Sequence, residues 1–163
     1  MYFTFEIRNL SRVAETQLVR HRLASYNVLS HRKSDESLDN VESYIIPPID
    51  YLSDEDIQEL VIPTMKEAFE DAIRSYKALL QIGVRPEDAR YVLPQAQYKH
   101  MIMSCNLREL RHIISMRATP AAQAEIRHIA LQMYETLREI NKVLVYGLTN
   151  IEMTPLFKEE DEK

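Results

Sequence analysis

The stretch YKHMIMSCNLRELRHIISMR, residues 98–117, changes from the pattern of a strand to that of a helix and so indicates the fold class. Its first part is typical of a β-strand, whereas the apolar spacing between Asn106 and Arg117 predicts a helix of about three turns. Asn106 and Arg117 share a face of this helix with two apolar side chains. An arginine in that position is rarely buried unless an anion or a carboxylate lies beside it. Arg117 is therefore a candidate anion-binding residue; the alternatives are an extended side chain at the edge of the core and a pair with Glu125.

Strand-like and helical segments also alternate outside this stretch. The patterns predict strands over residues 2–8, 44–49 and 98–105, and an extended or irregular segment over residues 23–30. They predict further helices over residues 11–22, 53–83, 85–94 and 120–145. Pro63 lies inside the second of these helices and is predicted to bend it or to shift its start. We therefore predict an α+β fold in which helices pack on a small mixed or antiparallel sheet. About three strands are too few for a self-sufficient sheet core, which favours association with other copies of the chain.

The composition excludes several kinds of function. The 163 residues carry a net charge of −5, which argues against general nucleic-acid binding, and no apolar segment is long enough to span a membrane. Because only two glycines are present, the chain has no glycine-rich phosphate loop and would hold any phosphate with side chains, chiefly arginines. A single cysteine and dispersed histidines predict neither a disulfide nor a metal site. We expect a cytoplasmic protein with one domain over residues 1–150 and a charged, flexible tail over residues 151–163.

A second segment, RHRLASYNVLSHR at residues 20–32, collects arginines and histidines around small polar residues in this acidic chain. The guanidinium groups of Arg20, Arg22 and Arg32 have the shape to bind phosphate oxygens in pairs, and Ser30 offers a neutral hydrogen bond. The alternative is a solvated surface on which arginines occur by chance. No serine, histidine and acid form an evident catalytic triad, so the chemistry of such a site would belong to a bound cofactor.

These segments resemble a known family. Arg20-His21-Arg22, followed after seven residues by Ser30, matches the RHR-X7-S signature of the flavin-dependent thymidylate synthases, the ThyX family. The resemblance continues in the same order through FTFEI, ARYVLP, NLRELRHIISMR and AAQAEIRHIA, and it covers residues 2–145. It implies a ThyX-like fold and a homotetramer whose active sites lie between subunits and hold FAD beside dUMP. It also implies transfer of a methylene group from methylenetetrahydrofolate to dUMP and its reduction by the flavin hydride, with NADPH recharging the flavin.

The resemblance also implies roles for individual residues. Those implied to bind FAD are Arg20, His21, Arg22, Asn106 and Arg108. Those implied to bind dUMP are Gln17, Ser30, Arg32, Arg90 and Arg117. Arg32 and Arg90 would lie on the phosphate, whereas Arg117 would lie against the uracil and polarise it as negative charge develops during reduction. Arg117 is therefore implied to be the catalytic residue, and no metal is implied.

The sequence departs from the family pattern in four places. The family's Ser-Gly-Arg-Tyr reads Ser30-His31-Arg32-Lys33, without the glycine and the tyrosine. Val28 occupies the position of a glutamate that lies near flavin and nucleotide, and His112 that of an asparagine in the second motif. Family members carry a substantial segment before the FTF strand, with a histidine motif that helps to hold FAD, so we expect a fold that lacks the usual N-terminal segment. The departures leave two alternatives open. One is a paralogue that binds flavin and nucleotide but catalyses a different reductive or transfer reaction; the other is a non-catalytic partner of a full-length synthase.

Overall fold

A computed structural model describes residues 1–28, 44–49, 51–149 and 151 of the chain. Within this part the strands are β1 (Tyr2–Ser11), β2 (Ala24–Val28) and β3 (Tyr98–Asn106), which form one sheet in the order β1-β3-β2. The helices are α1 (Arg12–Leu18), α2 (Asp54–Asp56), α3 (Ile62–Gln81), α4 (Pro86–Ala89), α5 (Leu107–Arg117) and α6 (Ala124–Ile140). A π-helical turn precedes α3 (Ile57–Val61), and 3₁₀ turns follow α4 (Arg90–Val92) and α6 (Lys142–Val145). The predicted α+β class is confirmed.

The chain forms two compact units, each made of segments that are separate in sequence. As far as the structure describes these ranges, unit 1 comprises Met1–Glu6, Thr16–Asn27 and Ile102–Lys163. Unit 2 comprises Ile7–Glu15 and Val28–Met101. The single domain over residues 1–150 stays a prediction, and the predicted tail lies outside the described residues except for Ile151.

Unit 1 contains α5 and α6, whose apolar faces are buried. α5 begins after Asn106 because the side-chain oxygen of that residue accepts a hydrogen bond from the backbone N–H of Glu109 at 2.9 Å. Gln123 caps α6 in the same way through the N–H of Ile126, at 3.2 Å. The buried side chains of the two helices include Leu110, Ile113, Ile114, Ile126, Met133 and Leu137. The repeat of apolar residues seen in the sequence therefore corresponds to the faces that build this core.

Arg111 on α5 holds the segment that follows α6. The helix predicted over residues 120–145 ends at Ile140, because the backbone of Asn141 is extended and a 3₁₀ turn follows. The guanidinium group of Arg111 donates to the carbonyl oxygen of Leu144 and, at 2.7 Å, to that of Tyr146. These carbonyls lie beyond the last full helical turn, so the arginine supplies donors that the helix itself does not.

We expect Arg111→Leu to lower the free energy of unfolding by about 2 kcal/mol, because hydrogen bonds from a charged donor contribute about 1.5–3 kcal/mol and the freed carbonyls regain only water. Chemical denaturation measures this change. Arg138→Leu on α6 is the matched control: it removes the same side chain from a pair in which Arg138 is exposed and Glu135, 2.8 Å away, is half-buried, and it should cost about 1 kcal/mol or less. Equal losses in the two variants would show that the carbonyl contacts of Arg111 contribute nothing.

Unit 2 contains α3, which continues a helical segment that begins at Asp54. The backbone stays helical through the π turn Ile57–Val61 into α3, and Pro63 lies in the first turn of α3, directly after the π turn. The helical segment therefore begins after Ser53 as predicted, and Pro63 does not shift this start. α3 buries Phe69, Ile73 and Tyr76, and the ring of Tyr44 stacks on Phe69 with centroids 4.8 Å apart. Gly83 adopts φ 89°, a left-handed conformation that ends the helix as predicted.

In three short segments the structure differs from the sequence prediction or is more specific than it. The helix predicted over residues 11–22 ends at Leu18, and the chain then turns over residues 19–23. The segment predicted as extended or irregular contains strand β2. The strand predicted over residues 44–49 is reduced to a single bridge between Tyr44 and Gln97, because the two prolines that follow lack the N–H groups a ladder needs.

Candidate functional site

The turn between α1 and β2 and the first turns of α5 surround a cavity of about 650 Å³ in unit 1. Its lining comprises Arg20, His21, Arg22, Leu23, Asn106, Arg108, Glu109 and His112. The turn is held from β2, where the hydroxyl of Tyr26 donates to the carbonyl oxygen of Leu18 at 2.7 Å and lies 3.0 Å from that of His21. All residues that the resemblance implies for FAD thus lie around one cavity.

His21 forms a buried part of the cavity wall, with 8% of its surface exposed. The Nε–H of Arg117 donates a hydrogen bond to Nε2 of His21 at 3.1 Å, so this ring nitrogen must carry a lone pair. The proton of the neutral imidazole therefore lies on Nδ1, which faces Oε1 of Glu109 at 3.8 Å. The ring of His112 packs edge-on against that of His21, with centroids 5.8 Å apart.

The surroundings of His21 keep its imidazole uncharged. Burial has the largest effect, and the charges of Arg117 and His112 act in the same direction, so that the pKa of His21 falls to about 4. Near pH 7 the ring is therefore neutral and accepts a hydrogen bond from a permanently charged guanidinium group. The positive charge of the cavity comes from its arginines, and Glu109 is the acid that lines it.

Arg117, at the end of α5, is half-buried and contacts the segment that leads into the turn. Besides its bond to His21, its Nη2 lies 3.4 Å from the backbone carbonyl oxygen of Gln17. The structure thus brings two of the implied dUMP residues, Gln17 and Arg117, next to a residue implied for FAD. The guanidinium group of Arg117 is oriented through its Nε, which explains why an arginine lies on a partly apolar helix face.

Sequence reasoning did not assign Glu109, Tyr26 or Leu23 to this site. A signal for Glu109 exists, because Asn106 and Glu109 have the spacing of a capping box, which places the acid in the first turn of the helix. Tyr26 has no such signal. Its role depends on the path of β2 past the end of α1, which the local pattern of residues does not contain.

Arg90 lines a second cavity, of about 350 Å³, in unit 2. The Nε–H of Arg90 donates to the backbone carbonyl oxygen of Glu87 at 3.1 Å. Arg12 and Lys99 line the same cavity. Lys99 is only 6% exposed, and burial lowers its pKa to about 8; Arg12 and Arg90 act in the same direction, whereas Glu15 opposes them.

Two implied dUMP residues, Ser30 and Arg32, lie outside the described residues. Val28, at the position of the family glutamate, is the last residue of β2 and is half-buried. Within the ranges that the structure describes, no group of three metal-ligating side chains is placed to hold a metal ion. Over the same ranges, no helix has the length and apolar character that crossing a membrane requires.

The fold and the cavities define an α+β protein in which arginine side chains, rather than a glycine-rich loop, surround the candidate site. The family model of the thymidylate synthase complementing proteins matches residues 1–141. The chain therefore belongs to this family, the flavin-dependent thymidylate synthases to which its motifs pointed. The flavin-dependent thymidylate synthase of Saccharolobus solfataricus is 42% identical over 139 residues, which are 85% of this chain and 50% of that protein.

Solved structures of other proteins share the fold. A UMP/dUMP methylase, PolB from Streptomyces cacaoi bound with 5-Br dUMP, has a TM-score of 0.73 and 27% identity, covering 91% of this chain and 74% of its own. The flavin-dependent thymidylate synthase ThyX of Helicobacter pylori, complexed with FAD and dUMP, has a TM-score of 0.66 and 25% identity. The match covers 88% of this chain and 70% of that one. The chain spans about half the length of the curated relatives it matches.

Proposed function

We propose that this chain acts as a flavin-dependent thymidylate synthase that binds FAD and dUMP and converts dUMP to dTMP with methylenetetrahydrofolate and NADPH. The observation that carries the proposal is the grouping of Arg20, His21, Arg22, Asn106 and Arg108 around one cavity in the family fold. The relatives named as flavin-dependent thymidylate synthases support the reaction, and the Helicobacter pylori complex with FAD and dUMP supports the ligands.

The donor set of the unit 1 cavity suits FAD. Arg20, Arg22 and Arg108 offer guanidinium groups for a diphosphate, and the amide of Asn106 keeps its N–H₂ as a donor because its oxygen caps α5. The neutral ring of His21 offers an uncharged surface for a flat ring system. The volume lies within the range of about 300–1,000 Å³ of small-molecule sites. When bound, FAD supplies the hydride that reduces the transferred carbon.

Arg117 is proposed as the catalytic residue. Its Nε is held by His21, which fixes the plane of the guanidinium group and leaves the Nη groups to interact with the pyrimidine of dUMP. A positive charge placed there stabilises the negative charge that develops on the uracil, and a group that is already oriented does so without reorganisation. Gln17, Ser30, Arg32 and Arg90 are proposed to hold dUMP, the two arginines at its phosphate.

We propose further that the active protein is a cytoplasmic homotetramer in which residues 1–150 form one domain and each site combines residues of several subunits. The small sheet of three strands in the described part of the chain supports association, because so few strands do not form a self-sufficient sheet core.

A second candidate function rests on Val28. This half-buried valine has no group that exchanges a proton, whereas the family has a glutamate at its position. A paralogue that binds flavin and nucleotide but catalyses another reductive or transfer reaction is compatible with that change. Release of tritium from C5-labelled dUMP in the presence of methylenetetrahydrofolate and NADPH, together with the formation of dTMP, distinguishes the two functions. Transfer of another group to C5 would also release tritium but would form a different product, and a reaction elsewhere would release none.

We expect Arg22→Leu to weaken FAD binding about tenfold, which corresponds to the loss of one charge-assisted hydrogen bond to the diphosphate. Titration of the protein with FAD, followed by flavin absorbance and fluorescence, measures the affinity. Arg74→Leu is the matched control, because Arg74 is an exposed arginine of α3 paired with Asp71 at 3.1 Å. A native protein that leaves the flavin spectrum unchanged would remove the proposed function.

A further inference from the structure

Glu109 is a buried acid of the unit 1 cavity to which the proposed reaction gives no role. Glutamate is almost never fully buried without a partner for its charge, and the group that faces Oε1 of Glu109 is Nδ1 of His21, at 3.8 Å. The charge of Glu109 also acts on Tyr26, whose pKa is raised to about 12 chiefly by burial. The hydroxyl of Tyr26, however, donates to the carbonyl oxygen of Leu18 at 2.7 Å. The imidazole of His21 is therefore the group through which Glu109 can act.

Glu109 and Arg117 contact different nitrogens of the His21 ring and select the same tautomer. A carboxylate has only acceptor oxygens, so the ring nitrogen that faces Glu109 carries the proton. A guanidinium group has only donors, so the nitrogen that faces Arg117 carries the lone pair. Both conditions hold only when the proton lies on Nδ1. The other neutral tautomer would place a lone pair against the carboxylate and would break the bond of 3.1 Å to Arg117.

The contact between Glu109 and His21 acts within a buried environment. The two side chains are 6% and 7% exposed, so little water screens the charge of the carboxylate. The carboxylate is also placed from the backbone, since the N–H of Glu109 is bonded to the capping oxygen of Asn106 at 2.9 Å. Glu109 lies in the first turn of α5 and Arg117 in the last, and the ring of His21 connects the two ends of the helix.

We propose that Glu109 is a positioning residue, which holds His21 in the Nδ1–H tautomer and so keeps Nε2 as the acceptor that orients Arg117. The principle is that the hydrogen bond at one ring nitrogen decides what the other nitrogen does. No proton is transferred, because the histidine orients a cation and does not act as a base. The consequence for turnover rests on the proposed function. The tautomer of His21, in contrast, is a property of the folded chain and requires no ligand.

Removal of Glu109 has effects of opposite sign through its charge and through His21. The carboxylate disfavours negative charge on the uracil and repels a diphosphate, so loss of its charge alone would raise kcat and tighten FAD binding. Loss of the preferred tautomer lowers kcat, because Nε2 is then protonated in a fraction of the molecules and Arg117 loses its acceptor there. A fall in kcat without weaker FAD binding is therefore specific to the positioning role.

Long-range ¹H–¹⁵N NMR spectra of the full chain, labelled at histidine, measure the tautomer at pH 7 in native protein, Glu109→Leu and Glu135→Leu. The signals of His21 are assigned by their absence from His21→Gln. Glu135 is the matched control, because it is a half-buried acid of α6 outside the cavity lining. We expect the Nδ1–H form in native protein and in Glu135→Leu, and a mixture with the Nε2–H form in Glu109→Leu.

Turnover is measured as tritium release from C5-labelled dUMP. We expect Glu109→Leu to lower kcat about tenfold and to keep KM for dUMP within about twofold of the native value, because the orientation of Arg117 acts on charge that develops during the reaction. Glutamine has no tautomers, so Glu109→Leu should cause no further fall in kcat when it is added to His21→Gln. A merely structural role of Glu109 would lower kcat by the same factor in both backgrounds.

Glu109→Gln is the second variant, because it keeps the volume of the side chain and is expected to fold even where Glu109→Leu does not. Its amide donates as well as accepts, so it should also admit the Nε2–H form. An unchanged Nδ1–H form in both variants, or the Nε2–H form in native protein, would overturn the proposal. A changed tautomer with native kcat would overturn the link to Arg117. A changed tautomer in a protein that neither binds FAD nor releases tritium would support the role of Glu109 on His21 and contradict the proposed function.

Discussion

Arg117→Leu is expected to lower the rate of tritium release from C5-labelled dUMP by on the order of 10²–10³-fold, the loss that follows removal of one preorganised donor from a site of developing negative charge. The geometry supports an effect of this size. The guanidinium group is held at Nε by a hydrogen bond of 3.1 Å to a neutral, buried His21, so its orientation exists before the substrate arrives. Leucine keeps much of the bulk of the side chain and removes every donor.

The readouts that separate catalysis from folding are FAD affinity and the melting temperature. The FAD affinity of Arg117→Leu is expected to stay near the native value, because Arg117 is not part of the lining that is proposed to hold FAD. The melting temperature is expected to fall, because the variant loses the hydrogen bonds to His21 and Gln17, which corresponds to about 1–3 kcal/mol, but the protein stays folded at the assay temperature. Arg138→Leu, an exposed arginine of α6, serves as the control and should release tritium at the native rate. Native turnover in Arg117→Leu would contradict the catalytic role, and a parallel loss of FAD would show that the residue is structural.

The sequence was sufficient to predict the helices whose apolar faces repeat, since burial of such a face depends on residues close together in the chain. α3 and α5 illustrate this: the helical segment that contains α3 begins after the capping residue Ser53, and Asn106 caps α5. The end of α1 was not predictable in the same way. The helical pattern continues to Arg22, but the hydroxyl of Tyr26 bonds the carbonyl oxygen of Leu18 and the chain turns after that residue.

The candidate site likewise contains residues that the sequence could identify and contacts that it could not. The motif residues were identifiable by order and spacing, and the turn that carries Arg20 and Arg22 brings them to the cavity with Asn106 and Arg108. The partner of Arg117 was not identifiable, because its position predicts an anion or a carboxylate, whereas its Nε–H donates to the neutral ring of His21, 96 residues away. Such a contact depends on how the segments pack, and no local pattern encodes it.

Three cations line the cavity of unit 2 and could not be grouped from the sequence: Arg12, Arg90 and Lys99. Lys99 follows the alternation of a strand, in which a lysine ordinarily faces water, and only the structure shows that it is buried. Its neighbours Arg12 and Arg90 come from an α-helix and a 3₁₀ turn at distant positions in the chain. Cations that are distant in the sequence line one cavity only because three elements meet in the fold.

Acidification from pH 6.5 to pH 4 is expected to lower the free energy of unfolding by about 3 kcal/mol through His21 alone, since each unit of pKa shift corresponds to about 1.4 kcal/mol. The pKa of His21 is about 4 in the folded protein and 6.5 in the unfolded chain. Above pH 6.5 both states hold a neutral ring, and stability does not depend on this group. Between the two values the unfolded chain binds a proton that the folded protein does not, so stability falls as the pH falls.

The contribution of His21 is measured as the difference between native protein and His21→Gln in urea denaturation at pH 7 and pH 4.5. Glutamine has a side-chain oxygen that can accept the N–H of Arg117, and its side chain does not titrate. The free energy of unfolding of His21→Gln should therefore fall less steeply with acidification than that of the native protein. Burial also lowers the pKa of His128, so this residue also lowers the free energy of unfolding as the pH falls. Because His128 is present in both proteins, its contribution cancels in the comparison.

The same experiment tests the geometry of the candidate site, because the low pKa of His21 and the orientation of Arg117 have one origin. A charged imidazole has a proton on Nε2 and cannot accept the Nε–H of Arg117, so protonation would break the bond that orients the guanidinium group. Tritium release should therefore decline over the pH range in which the native protein loses stability relative to His21→Gln. Identical pH slopes in native protein and His21→Gln would mean that His21 is not held neutral, and the account of Arg117 as a preorganised donor would then be wrong.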